Sequence, residues 1–300
     1  MSNLTGTGKA GLAAFGCLLL VGTFLGLSLI LAKLADQAGA PRLTFLMVGI
    51  GGAGLILIGL TALARQPMPI NRRTLEYGLV SGFLLAAPTA LGFLAVRHVG
   101  AGYLSMSFAF PVLFTWIIAT VMRLEKVRLL RLTGVALGLA GGLLLAAAKA
   151  GNASASPGWA LLVLAMPMML AAGNVYRSLR WPANTSPLFL AGLMEIGAAL
   201  MLMPCVLLLE PGRGGELLAT RDTVRLLWIE VGVFAVLYSF YFVLQKMAGP
   251  VYLSQIGTVA ALVGTLIAIL ALGEAPPPFL GLAVLLVAGG TLLFHRGARS

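Results

Sequence analysis

Gly102-Tyr103-Leu104-Ser105 returns as Val251-Tyr252-Leu253-Ser254, 149 residues further along a chain of 300. At the same shift Phe93 meets Phe242, Arg97 meets Lys246 and Glu125 meets Glu274. Beyond the glutamates the register slips by one residue, and Ala140-Gly141-Gly142 matches Ala288-Gly289-Gly290. Leucine-rich segments can align by chance, but polar residues shared at one shift argue for a repeat. The shift is half the chain, so the sequence divides into two copies, residues 1–149 and 150–300.

What surrounds the repeat fixes its solvent. Of the residues, 60% are hydrophobic and 10% charged, with mean hydropathy +1.01. A water-soluble domain carries about a quarter charged residues, and so few charges cannot cover so much apolar surface. A lipid bilayer tolerates it, because a helix of about 20 apolar residues spans the hydrocarbon with its backbone satisfied internally. Ten such segments are read: Gly11–Ala32, Leu43–Ala64, Tyr77–Val96, Ala101–Met122, Leu130–Ala148, Gly158–Tyr176, Pro187–Leu209, Val224–Gln245, Val251–Leu272 and Phe279–His295. The alternation of a barrel strand is absent from them. The predicted fold class is therefore an all-α integral membrane protein, ten transmembrane helices in two five-helix repeats. Lys9 followed by an apolar run has the look of a signal peptide, but the run continues to Leu31, and an uncleaved first helix is expected.

An odd number of spans per copy turns the second copy upside down in the membrane. The loops follow that inversion. Arg123, Lys126, Arg128 and Arg131 follow the fourth segment, whereas Glu274-Ala275-Pro276-Pro277-Pro278 after the ninth holds no basic residue. With the N-terminus inside, 13 of the 20 basic residues fall in cytoplasmic loops, Arg177 and Arg180 among them, and 7 fall outside. The excess predicts an inner-membrane, multi-pass protein with both termini cytoplasmic and Glu210–Asp222 on the outer side.

The net charge of +11 is spread singly and in short clusters between apolar runs, as topology signals are, so nucleic acid is not expected as a partner. Cys17 and Cys205 lie inside apolar runs and read as small hydrophobes. Two histidines allow no His-rich metal site, and neither an acidic cluster for Mg²⁺ nor a phosphate-binding loop is present. No cofactor is expected. The expected partners are the lipid bilayer and a small-molecule substrate, moved passively or on a gradient, with a proton or no ion coupled to it.

Gly273-Glu274, followed by Pro278, Gly281 and Gly289-Gly290, resembles the end of the ninth and the tenth helix of the EamA-type transporters of the drug/metabolite transporter superfamily. The first copy keeps Glu125-Lys126 with Gly134, Gly141 and Gly142, but has Leu124 where the family places glycine. The resemblance implies two tandem five-helix halves around a cavity lined by the first, third, fourth, sixth, eighth and ninth segments, with the fifth and tenth apart and the seventh peripheral. It implies a secondary transporter of small metabolites, amino acids among them, working in the export direction, and not an enzyme. An integral membrane enzyme acting on lipid or isoprenoid substrates is the alternative. A scaffold or sensor is a third reading.

Several side chains are candidates for substrate contact. At about 100° per residue, Glu230, Phe234, Tyr238, Tyr241 and Gln245 form one stripe along the eighth segment. Polar groups on a spanning helix avoid lipid, so the stripe either lines a cavity or bonds helix to helix. The cavity is the expectation adopted, with Glu230, Tyr238, Tyr241 and Gln245 as substrate contacts. Tyr103, Ser107 and Phe110, with Phe114, form a second stripe. It reads as packing on its own pattern, and is raised to a binding candidate by the resemblance. Ser254 and Thr258 share a face of the ninth segment. Asn174 sits beyond Pro167 in the sixth. Glu195 lies deepest among the acids, and its expected role is structural because the resemblance makes its segment peripheral. Glu125 and Glu274 read as complements of the helix starts that follow them.

Overall fold

The computed structural model describes residues 4–107, 110–124, 128–149, 157–163, 165–272 and 279–299. Among them every regular element is helical: α1 Leu4–Gln37, α2 Arg42–Leu63, α3 Arg72–Ser107, α4 Pro111–Val121, α5 Leu129–Lys149, α6 Pro157–Val163, α7 Ala165–Leu179, α8 Pro187–Leu209, α9 Arg221–Leu253, α10 Ile256–Leu272 and α11 Leu280–Arg299, with a short 3₁₀ turn at Arg213–Leu218. Five stretches, Gly11–Gln37, Arg42–Leu63, Arg72–Leu91, Pro187–Leu209 and Arg221–Leu253, are long and apolar enough to cross a bilayer. The fold is all-helical and compatible with a multi-pass membrane protein.

Local chemistry sets where the helices begin. Ser186 accepts from the Phe189 amide, and Pro187 at the first turn has no donor to lose. Thr220 does the same for α9 through the Thr223 amide. The first turn of α2 is satisfied from a distance. Glu210, the residue ending α8, accepts from the Leu43 amide at 3.0 Å and from the Thr44 amide and hydroxyl at 2.8 Å. That carboxylate meets the positive end of α2 and ties the end of one helix to the start of its neighbour.

One boundary differs from the sequence expectation. The third segment does not end near Val96; α3 runs on through Gly100 to Ser107, and Pro111 at the first turn of α4 marks where the next helix starts. The sixth segment is described as α6 and α7, and Leu164 between them lies outside the described residues. The eighth and ninth segments are parted within α9 where the sequence reading parts them, between Gln245 and Val251: the backbone leaves the helix at Gly249 with φ 77° and ψ 178°. Only glycine visits that region readily. Pro250 follows, and helix resumes until the turn at Ser254-Gln255.

α8 packs against α2, α3 and α9. The helices approach to backbone contact: a side chain at Gly82 would start 2.4 Å from the Ala198 amide nitrogen, and one at Gly197 would start 2.5 Å from the Gly78 carbonyl oxygen. α5 and α11 cross in the same way, Gly134 against Gly290. Small residues are how helices associate where no water drives them together. α1 packs on α9 and α10, and α7 on α3, α4 and α9.

Candidate functional site

The α9 stripe faces inward. Glu230, Phe234, Tyr238 and Gln245 are buried, and Tyr241 is half-buried. From Glu230 to Gln245 it runs about 22 Å along the helix axis. Its rings form a chain, with Phe234 to Tyr238 at 5.9 Å, Tyr238 to Tyr241 at 5.8 Å and Tyr241 to Phe242 at 5.9 Å between centroids.

At the Gln245 end the stripe meets α7, and the meeting is organised by Arg177. Its Nη2 donates to Asn174 Oδ1 at 2.8 Å and to Tyr241 Oη at 2.6 Å, and its Nε donates to Gln245 Oε1 at 3.3 Å. Tyr241 donates in turn to Asn174 Oδ1 at 2.7 Å. Gln245 Nε2 donates to the Asn174 carbonyl at 2.8 Å and to Ser178 Oγ at 3.1 Å. The guanidinium lies 5.3 Å from the centre of the Tyr241 ring, and Tyr77 of α3 donates to the Arg177 carbonyl at 3.3 Å. Tyr77 also stacks on Tyr176 and meets Trp181 and Phe242 edge-on.

Arg177 is 3% exposed, and no carboxylate pairs with it among the described residues. Charge counting along the sequence treats it as a cytoplasmic-loop residue. The structure instead turns the side chain back over Gly173, whose missing side chain leaves room 3.0 Å from Nη1.

At the other end Glu230 accepts from Ser28 Oγ of α1 at 2.5 Å, while its second oxygen has no partner among the described residues. Glu195 of α8 is fully buried, and neither of its oxygens has one. Tyr238 lies between, within electrostatic reach of Glu195, Glu230, Tyr241 and Arg177. The axis therefore has the Glu230 carboxyl at one end and the Arg177 guanidinium at the other.

Of the residues expected from sequence, Asn174, Tyr241 and Gln245 share one hydrogen-bond network, Tyr238 stacks beside it, and Glu230 lies further along the same face. Ser254 donates within its own turn, to the Val251 carbonyl. Thr258 and Gln255 line a separate cavity of about 10 Å³ with Val112, Gly134, Val135 and Gly138. Phe110 is half-buried at the start of α4. Tyr103 and Ser107 continue the backbone of α3, and their side chains lie outside the described residues, as do Glu125 and Glu274. Arg177, Ser178, Ser28, Tyr77 and Glu195 join the site without having been singled out as substrate contacts.

No family model matches the chain, and no curated protein matches it. A solved structure, described only as the crystal structure of a protein, superposes with TM-score 0.76 over 98% of this chain and 99% of its own, at 22% identity. That likeness is one of fold.

Proposed function

We propose that this protein is a secondary transporter of small metabolites in the inner membrane, working by alternating access between two inverted five-helix halves, in the manner of the EamA-type drug/metabolite transporters it resembles, and in the export direction. The observation that carries the reading is the buried polar axis from Glu230 to Arg177. Groups of this kind inside a membrane-spanning bundle are costly, and mark a solute or proton pathway.

The packing supports two related halves. Exchanging them maps α1 onto α7, α2 onto α8, α3 onto α9, α4 onto α10 and α5 onto α11. Under that exchange α3 with α8 becomes α9 with α2, α1 with α9 becomes α7 with α3, and α1 with α10 becomes α7 with α4; each of these packings is present. α2 with α8 and α5 with α11 map onto themselves, and both are present. A pair of halves related in this way has two equivalent access states. Ten spans, cytoplasmic termini and the division at residues 149 and 150 complete the reading. Tyr103, Ser107, Phe110, Ser254 and Thr258 belong to the proposed path alongside the α9 stripe.

The test is counterflow in proteoliposomes of the purified protein, against amino acids, nucleosides, amines and sugar phosphates. Saturable exchange of at least one class is expected. A folded protein that moves none of them, but turns over lipid or isoprenoid substrates in detergent, would establish the enzyme reading instead.

A further inference from the structure

We infer that Arg177 is a carboxylate-binding centre, in which its guanidinium, held in place by the Tyr241 phenol, and the Asn174 amide take the carboxyl group of a small monoanionic solute. The inference rests on the transport reading for its use in the cell; the site itself is tested by binding.

The network has donors to spare. Asn174 Oδ1 already receives Arg177 and Tyr241, and the Asn174 carbonyl receives Gln245 and Ser178. Tyr241 Oη receives Arg177 while donating its own proton. Nη1 of Arg177 and Nδ2 of Asn174 make no hydrogen bond among the described residues. What remains is a set of N–H groups and one positive charge, which an oxyanion completes.

The charge is equally unbalanced. A guanidinium is a permanent cation, and taking an ion from water into a packed interior costs several kcal/mol unless it is paired. Arg177 has only neutral partners here, and an anionic ligand would relieve that cost through a fork that fits a planar carboxylate. One guanidinium balances one negative charge. A phosphate monoester at about −1.5 to −2 would leave surplus negative charge inside. The body of the solute would lie against Tyr241 and Tyr238. Tyr241 and Ser178 are partly exposed, so the network is not sealed from the outside.

The experiment uses the full chain in detergent, with melting temperature and calorimetric affinity measured against benzoate, phenylacetate, uncharged phenylacetamide and phenyl phosphate. A bound ligand raises the melting temperature in proportion to occupancy. The expected result is a saturable rise with the monocarboxylates, none with the amide, and a weaker one with the phosphate. Arg177→Gln should weaken phenylacetate by about 10- to 100-fold, with Arg177→Lys in between. Should Arg177→Gln not fold, Tyr241→Phe keeps the ring and should weaken binding by about 3- to 10-fold. Lys246→Gln, at the nearby cation over Trp181, should change nothing. No shift with either monocarboxylate, equal shifts with acid and amide, tighter phosphate binding, or unchanged affinity in the folded Arg177 and Tyr241 variants overturns the assignment. Carboxylate binding without counterflow leaves the site standing and removes the transport reading; counterflow of neutral solutes without carboxylate binding does the reverse.

Discussion

Arg177 and Tyr241, 64 residues apart, hold one another by two interactions at once: Nη2 donates to the phenol oxygen at 2.6 Å, and the guanidinium sits 5.3 Å from the ring centre. The first fixes the hydroxyl and the second fixes the ring, so α7 and α9 are registered at this point. Tyr241→Phe removes only the first. It leaves Nη2 one acceptor short and Asn174 Oδ1 one donor short, at a cost of about 1–3 kcal/mol. Tyr241→Ala removes the stacking as well and should melt lower still. Thermal unfolding of both variants in the same detergent checks the order; equal melting temperatures would mean the ring contributes nothing to the register.

Ser28 Oγ donates to the Glu230 carboxyl at 2.5 Å. Ser28→Ala should therefore cost about 1–3 kcal/mol by leaving a buried carboxyl unbonded. Glu230→Leu, which removes the other partner, should make Ser28→Ala nearly silent. The double-mutant cycle measures this coupling, and additive effects would show that the bond is not a stabilising contact.

The contrast between these two ends shows what the sequence holds. The α9 stripe was legible because period and chemistry coincide: five polar or aromatic residues on one face of an apolar helix have one direction in which to point. Arg177 was not legible. A basic residue near the end of a span reads as a loop charge, and whether it reaches outward or folds back depends on Gly173 beside it and on Tyr241 and Gln245, which are distant in sequence. Glu195 was visible as an acid, but that its carboxyl is fully buried with neither oxygen bonded among the described residues is a property of packing. The break at Gly249-Pro250 falls in the gap between the eighth and ninth segments read from the sequence. The continuation of α3 past Gly100 was not, because a lone glycine permits a helix to end without requiring it.

Gly249 supplies a prediction of its own. With φ 77° and ψ 178° the residue occupies a region that side chains avoid, so Gly249→Ala should cost about 1–3 kcal/mol. Gly232→Ala, on the same helix with no heavy atom near the new side chain, is the control and should be neutral or slightly stabilising. A drop in melting temperature for both, or for neither, would mean the kink at Gly249 is not held as described.

Topology is checked from outside. With both termini cytoplasmic, the Arg213–Leu218 turn lies on the outer side, where Arg213 holds the Glu216 carboxyl below its ordinary range by hydrogen bonding to it. A reporter fused at Gly214 should be active as a periplasmic enzyme and silent as a cytoplasmic one. The opposite pattern overturns the orientation.

Glu195 offers the sharpest separation of structure from function. Its carboxyl is fully buried with neither oxygen bonded among the described residues. A polar group in that position costs the fold about 1–3 kcal/mol on mutational scales, so Glu195→Leu, apolar and of similar volume, should raise the melting temperature. Proteins retain such destabilising groups where activity needs them. On the transport reading, the use of a buried carboxyl next to Tyr238 is to take up and release a proton. Glu195→Gln keeps the shape but cannot carry that proton. Downhill exchange in proteoliposomes should then persist, while the acceleration produced by an imposed pH gradient in the wild type is lost. Two results would remove this role. A lower melting temperature for Glu195→Leu would show that the carboxyl makes bonds the fold depends on, and an undiminished response to the gradient in Glu195→Gln would place the coupling at Glu230 or outside these two residues altogether.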